Sequence, residues 1–550
     1  MTDQLRRALL KGAACIGATA SLWPQMAMGQ STGNPPSAAL RRHWARLANY
    51  ATFGANEETL QQISSAGWEA WVDAQLNLPP TPLFPTATLT TDKPTEAQLY
   101  SAWWTNALAA PDQLHQRVAF ALSQWFVIST RHPFLDGRTW TVIDFYDLLL
   151  RGVQGSFFDL LYQVSLHPAM CAYLSSLYNQ KGDPALGTIP DENYAREVMQ
   201  LFTCGAEKRK RNGHFRLDGQ GLRIPNYTEQ DVKELARVFT GMGVAEAKGW
   251  GKETGNWLRP VIEYPEYHDY GSKTIMGTEI PAGLSLQDDV RAALEIITKY
   301  EHSVAGNFSR FMIQRLTVSN PKYTYVRDVS IAFMESNGDL KTMVRAILLH
   351  PDAVDGRSDP RSETGRLKEP LLWYASARRA LAPPRDGALT PITGPAFNNS
   401  ELNTGGTFAE QSPVGALSVF SFFPREHQSE AIRGEGTAHI DYVYPEAYLY
   451  NWNSVVRVSN KLWGNVIKKD ADVPRFRAFL EAGASDEEFA DFVLDQLLFG
   501  NHRPALREEV IALLGTRGAS KVTAKVRDAL VLALNAPDFL VNNTYQEGGQ

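Results

Sequence analysis

Apolar and polar residues alternate along much of this chain with the period of an α-helix, one apolar stripe returning every three to four positions. Seven stretches carry the pattern clearly: "PSAALRRHWARLANYATFG", "TEQDVKELARVFTGMG", "LQDDVRAALEIITKY", "GNFSRFMIQRLTVSN", "DLKTMVRAILLHP", "EEFADFVLDQLLFG" and "KVRDALVLALNAP". Their ends are punctuated as helix ends should be. Thr228 with Asp231 forms a variant capping box, and Gly54, Gly241 and Gly500 stand where helices should stop. The pattern predicts a mainly α, large multi-helix protein. One exception is "HFRLDGQGLRIPNY" at 214–227, where two short runs flank "DGQG" and predict a small β-hairpin insertion.

The sharpest two-faced stretch is "PDENYAREVMQLF" at 190–202. Turned at about 100° per residue, Tyr194, Ala195, Val198, Met199, Leu201 and Phe202 fill one arc; Glu192, Asn193, Arg196, Glu197 and Gln200 fill the other. Arg196 can pair back to Glu192 at i,i+4. Three other stretches, "LYQVSLHPAM", "VRAILLHPDAV" and "LVLALNAPDFL", end an apolar helix with a proline and read as one helix-stop device. His350 then reads as a helix C-terminal residue favoured by the dipole, while His167 stays open between that role and a functional one.

The start, "MTDQLRRALLKGAACIGATASLWPQMAMGQ", has a basic head, an apolar middle and small residues before Gln30. Residues 1–29 read as an export signal. Arg6 and Arg7 before "ALLK" resemble a twin-arginine signal, with a general secretory signal as the alternative. The expected location is periplasmic or secreted. Beyond it, 38–385 reads as a main helical domain and 386–550 as a C-terminal helical region packed on it, the soft boundary falling in the Gly, Pro, Asn and Thr-rich 382–415. No later segment is apolar for long enough to span a membrane. A net charge of −6 argues against nucleic acid as a partner, and the basic cluster "EKRKR" at 207–211 reads as a solvated loop tip. Only Cys171 and Cys204 follow the signal, which excludes a disulfide scaffold and an all-cysteine metal site. After export the two can bridge or remain thiols.

No serine elbow, phosphate loop, dinucleotide fingerprint or zincin helix occurs, so candidate chemistry rests on a constellation. On the 190–202 helix, Glu192 and Glu197 supply carboxylates, with Asn193, Tyr194 and Arg196 beside them for substrate contact. An arginine at its side keeps a carboxylate ionised, suited to a metal or a cationic group. The second cluster is "EYPEYHDYGSKTIMG". There His268 beside Asp269 suggests an acid–base pair or metal ligand, Lys273 follows, and the tyrosines could stack on sugars. A divalent metal on His167, Glu197 and His268 is the expected cofactor arrangement if these clusters meet. The competing reading is that the same residues are salt bridges and hydrogen bonds fastening the fold.

The blocks "LHPAMCAYLSSLYNQKGDP", "PDENYAREVMQLFTCG", "YTEQDVKELARVFTG", "YHDYGSKTIMG" and "RFMIQRLTVSNP" resemble successive blocks of the bacterial domain of unknown function family 1800. "LHQRVAFALSQWFVIS" and "SPVGALSVFSFFP" extend the likeness from about Ala38 to beyond Asn453. The resemblance implies a large exported protein and a partner from domain of unknown function family 1501, which is similar to sulfatases and alkaline phosphatases. Its motif positions fall here on His167, Asn179, Asp191, Glu192, Asn193, Tyr194, Arg196, Glu197, His268, Asp269 and Lys273, and it assigns a role to none of them. Cys171 stands where the family shows glycine and Cys204 where it shows an apolar residue, and two unusual cysteines appearing together favour a Cys171–Cys204 disulfide. Around His302 the family's pattern is weakened. Two functions compete: a metal-assisted hydrolase of an extracellular polymer such as a polysaccharide, with Glu192, Glu197, His268 and Asp269 catalytic; or a non-catalytic scaffold, partner or maturation factor for the sulfatase-like protein.

Overall fold

The computed structural model describes residues 37–299, 301–355, 365–382, 411–423, 445–450, 452–467, 473–518 and 520–542. The export signal, the boundary near 385 and the side chain of His302 lie outside the described residues. Helices run from Ala38–Ala51 to Pro537–Leu540, and all seven predicted amphipathic stretches are helical. The Thr228 capping box is present, its hydroxyl accepting from the Asp231 N–H while the Asp231 carboxylate returns to the Thr228 N–H. Among the described residues the sheets are two small antiparallel pairs, Met242–Gly243 with Ile262–Glu263 and Lys273–Ile275 with Thr278–Ile280.

The predicted hairpin is there and is larger than expected. Leu217 faces Arg223 across the "DGQG" turn, and Gly221 takes φ +80°, a left-handed conformation that glycine adopts without a Cβ clash. The basic cluster adds a third segment. Arg216 N–H donates to Lys208 O, Lys208 N–H to Ile224 O and Ile224 N–H to Arg216 O, so three extended segments each bond the other two. The expected loop tip is therefore an ordered extended segment of a bridged meander.

One contiguous cluster of buried apolar side chains extends from Ala45 to Phe539, with Trp103, Trp104, Trp125 and Trp373 fully enclosed. The helix-stop device is a stop and a restart. His167 and His350 are N-caps of the short helices Pro168–Tyr173 and Pro351–Val354, their Nδ1 atoms accepting from Ala169 N–H and Asp352 N–H at 3.1 Å. Proline follows at the first helical position, where its missing N–H costs nothing. This corrects the dipole reading of His350, because the ring serves the start of the next helix as an acceptor.

A buried ionic lattice closes the core beneath the 411–423 segment. Arg315 and Arg366 both reach Glu446, at 3.3 and 3.1 Å, and Arg366 also holds Glu369. The Glu369 carboxylate takes further hydrogen bonds from Gln124 at 2.8 Å and Gln411 at 2.6 Å. These contacts, with Thr130 N–H donating to Val414 O at 2.9 Å, dock 411–423 onto the body.

Candidate functional site: a fastened signature and an open cleft

The 190–202 stretch forms a helix over Asn193–Gln200, with Tyr194, Ala195, Val198 and Met199 buried as the periodicity requires. Leu201 and Phe202 are buried too, although they lie past its last turn. Glu192 gives no side-chain cap; Asp191 takes the Asn193 N–H instead, at 2.8 Å. Asn179 holds that turn from outside. Its amide oxygen accepts from Asp191 N–H at 2.8 Å, and its amide nitrogen donates to Asp191 O and Phe239 O, each at 3.2 Å. Tyr194 sends its hydroxyl to Ser165 Oγ at 2.7 Å, with its ring edge-on to Phe239. Arg196 makes the expected bond to Glu192 at 2.9 Å and a two-pronged one to Glu229, at 2.8 and 3.0 Å, at the start of the Glu229–Val238 helix. These hydrogen bonds depress the Glu229 carboxyl and raise the Arg196 guanidinium. Glu197 is half-buried near Tyr173 and Tyr227.

The second cluster is also fastened, although His268 Nε2 and Asp289 Oδ1 make no hydrogen bond, and its pairing differs from the sequence expectation. Asp269 does not face His268; it takes a fork from Arg237, at 2.7 and 3.1 Å, and the Gly271 N–H at 2.9 Å. Burial alone would raise this carboxyl, but those bonds outweigh it and hold it below its usual range. His268 donates from Nδ1 to the Thr240 carbonyl at 2.8 Å, and its Nε2 lies 3.2 Å from Asp289. Lys273 reaches the same Asp289 oxygen at 2.5 Å. The three side chains are between 0% and 1% exposed, so no dissolved substrate touches them. Gly241 permits the approach: at φ +73° its backbone lies so near that a Cβ would sit 2.8 Å from His268 Cβ. The expected sugar-stacking tyrosines are also engaged, Tyr267 stacking on Trp250 at 4.0 Å and Tyr270 bonding Glu263.

The expected metal set does not assemble. His167 holds Asp144 at 3.2 Å through Nε2 and the Ala169 N–H through Nδ1. Among the described residues no group of three or more His, Cys, Asp or Glu side chains is placed to hold a metal. The disulfide expectation is corrected as well. Cys171 and Cys204 are free, buried thiols that donate to Ser165 O and Met199 O at 3.3 and 3.5 Å. Burial pushes each up to about 12, which keeps both as unreactive thiols.

What the sequence did not single out is a cavity of about 590 Å³ beside the signature helix. Gln200, the last residue of that helix, and Leu201 after it form one wall. Asn307 and Phe311 of the Glu301–Leu316 helix form another, and Arg209 with Phe215 come from the meander. The outer wall is the 417–423 turn, where Leu417 and Phe420 stand 64% and 57% exposed, with Tyr448 near them at 53%. Ser421 N–H closes the turn onto Ser418 O at 3.0 Å with φ 69°, and Val414 at its base has φ 46°. A β-branched residue in that region carries backbone strain, which persists only where the surroundings enforce it. The floor is firm: Arg315 of the ionic lattice lies 4.6 Å from the Phe423 ring and 4.8 Å from Phe311. A signal for this site existed in "SPVGALSVFSFFP", an apolar run too short and too irregular for a helix.

No curated protein and no solved structure matches the chain. The blocks that meet here, the signature helix, the Glu301–Leu316 helix and the 412–423 segment, fall within a match to one family model over residues 46–541. With nearly the whole sequence covered, the chain belongs to the family described as protein of unknown function DUF1800.

Proposed function

We propose that this protein is an exported, non-catalytic binding protein in which the family-signature residues fasten the fold and the neighbouring cleft takes the ligand. The observation that carries it is the contrast in pairing. Arg196, Asp269 and Lys273 are each committed to an opposite charge, at 2.8, 2.7 and 2.5 Å, whereas the cleft presents large apolar rings to solvent. Reacting groups must converge on a point that a substrate can reach. Of the expected catalytic set, Glu192, Glu197, His268 and Asp269, His268 is wholly buried, and Glu192 and Asp269 are held by Arg196 and Arg237. Exposed apolar rings around a concavity are instead a common mark of a binding surface.

Export through the twin-arginine route belongs to this reading, as does a sulfatase-like exported partner, since a scaffold that collects an extracellular polymer would serve such a hydrolase. Hydrogen exchange of the full chain, alone and with each of a panel of soluble polysaccharides, tests it. Slowed exchange at 200–205, 307–314 and 417–423 is the expected result. Slowing confined to 191–197 and 268–273 would place the ligand on the signature residues and overturn it.

A further inference from the structure

The meander beside the cleft is strongly basic. Its residues 207–225 include Lys208, Arg209, Lys210, Arg211, Arg216 and Arg223 against only Glu207 and Asp218, in a chain whose net charge is −6. Such a local reversal of sign attracts a ligand of opposite charge and falls off over about 10 Å in ordinary salt. Two of its guanidinium groups are positioned by packing. Arg209 and Arg223 each lie 3.8 Å from the centre of the Phe215 ring, which braces them in place. Glu207 anchors Arg223 at 3.0 Å, and the Gly213 carbonyl anchors Arg209 at 2.8 Å. An arginine held this way loses little freedom when it grips a planar anion.

Resting on the cleft reading above, we infer that the ligand is an acidic polysaccharide strand. Its sugar rings lie against Phe420 and Tyr448, and its carboxylate or sulfate groups reach Arg209 and the meander. Aromatic faces suit the apolar faces of sugars, and guanidinium groups suit planar or tetrahedral oxyanions. Asn307 spends its amide N–H on Thr203 O at 3.0 Å, which leaves its side-chain oxygen to accept from sugar hydroxyls. A strand fits a cleft with one basic end better than a folded partner would, because the exposed rings line a concavity and not a flat patch.

The test is titration of the full chain with polygalacturonate and with heparin, each beside a charge-neutralised counterpart, the methyl ester and the desulfated polymer. Polyglutamate serves as a non-sugar polyanion. At least one acidic glycan should bind, about tenfold more tightly than its neutralised form, the scale of one or two charge-assisted bonds. Arg209→Gln and Phe420→Ala, each shown to be folded by an unchanged unfolding curve, should each weaken it, and added salt should weaken the unmodified chain. Polyglutamate binding as tightly, with Phe420→Ala indifferent, would overturn the inference. So would a neutral polysaccharide that protects the cleft while neither acidic one binds, an outcome that leaves the cleft reading standing. No protection by any polysaccharide would remove both.

Discussion

The signature clusters and the cleft expose their side chains in opposite ways. The clusters hold ionisable side chains, yet Lys273, His268 and Asp289 are sealed in the interior, each against another member of the set. The cleft mixes apolar with polar side chains, and there Phe420 and Tyr448 stand more than half exposed. A charge in a low-dielectric interior must be paired, and removing one partner strands the other. A ring left in water forgoes burial worth on the order of 2 kcal/mol, so keeping two of them beside one cleft calls for a use. The difference teaches that a crowded polar motif can mark the place a fold is fastened, and the proposed function assigns binding to the exposed rings nearby.

Changes on the fastened side should cost stability, and changes in the cleft should not. Asn179→Ala should have the larger effect, a loss of about 2–3 kcal/mol, because it leaves the Asp191 N–H and the Phe239 carbonyl without the amide that joins them. Urea unfolding measures it, and an unchanged midpoint would break the comparison at its best-defined joint. Tyr194→Phe removes one hydrogen bond to Ser165, whose hydroxyl keeps its bond to Leu161 O, and should cost about 1 kcal/mol.

Acid should sharpen the contrast further. The Arg237 fork and the Gly271 N–H, outweighing burial, depress the Asp269 carboxyl, so its stabilisation is complete above the unfolded value of about 3.9. It is lost as pH falls from there through the lower folded value. Urea midpoints should drop across that acid window, and Arg237→Gln should flatten the slope; an equal slope in both proteins would remove Asp269 from the account. The smallest effect belongs to Phe420→Ala, which should move stability by no more than about 0.5 kcal/mol while weakening ligand binding. A large loss of stability there would make the ring part of the core and not of a site.

The helices were legible because an apolar stripe with sound caps needs only local information: the Glu229–Val238 helix begins at Thr228, where its capping box is visible in sequence. The i,i+4 bond of Arg196 was legible for the same reason, and its stronger bond to Glu229, 33 residues away, was not. The adjacency of His268 and Asp269 misled, since a bend in the chain sends one side chain to Asp289 and the other to Arg237. Asp289 lies in the first turn of the Leu286–Thr298 helix, where an acid has an ordinary place, so the sequence alone does not mark it. The cysteines misled through their joint departure from the family pattern in a compartment that permits a bridge, and neither argument carries geometry. The cleft escaped notice because it is assembled from the end of one helix, the side of another, a meander and a turn, and "SPVGALSVFSFFP", the stretch that signals it, supplies only one wall.

The central claim is that the signature's polar residues hold the fold. A double-mutant cycle on the sealed pair, with Lys273→Met, Asp289→Leu and both together, followed by urea unfolding, tests it most directly. Each single change should lose roughly 3–5 kcal/mol by stranding a buried charge, and the double change, which removes both charges, should recover most of that loss. Single variants as stable as the unmodified chain would contradict the claim, since residues kept for a ligand are ones a fold can lose without weakening.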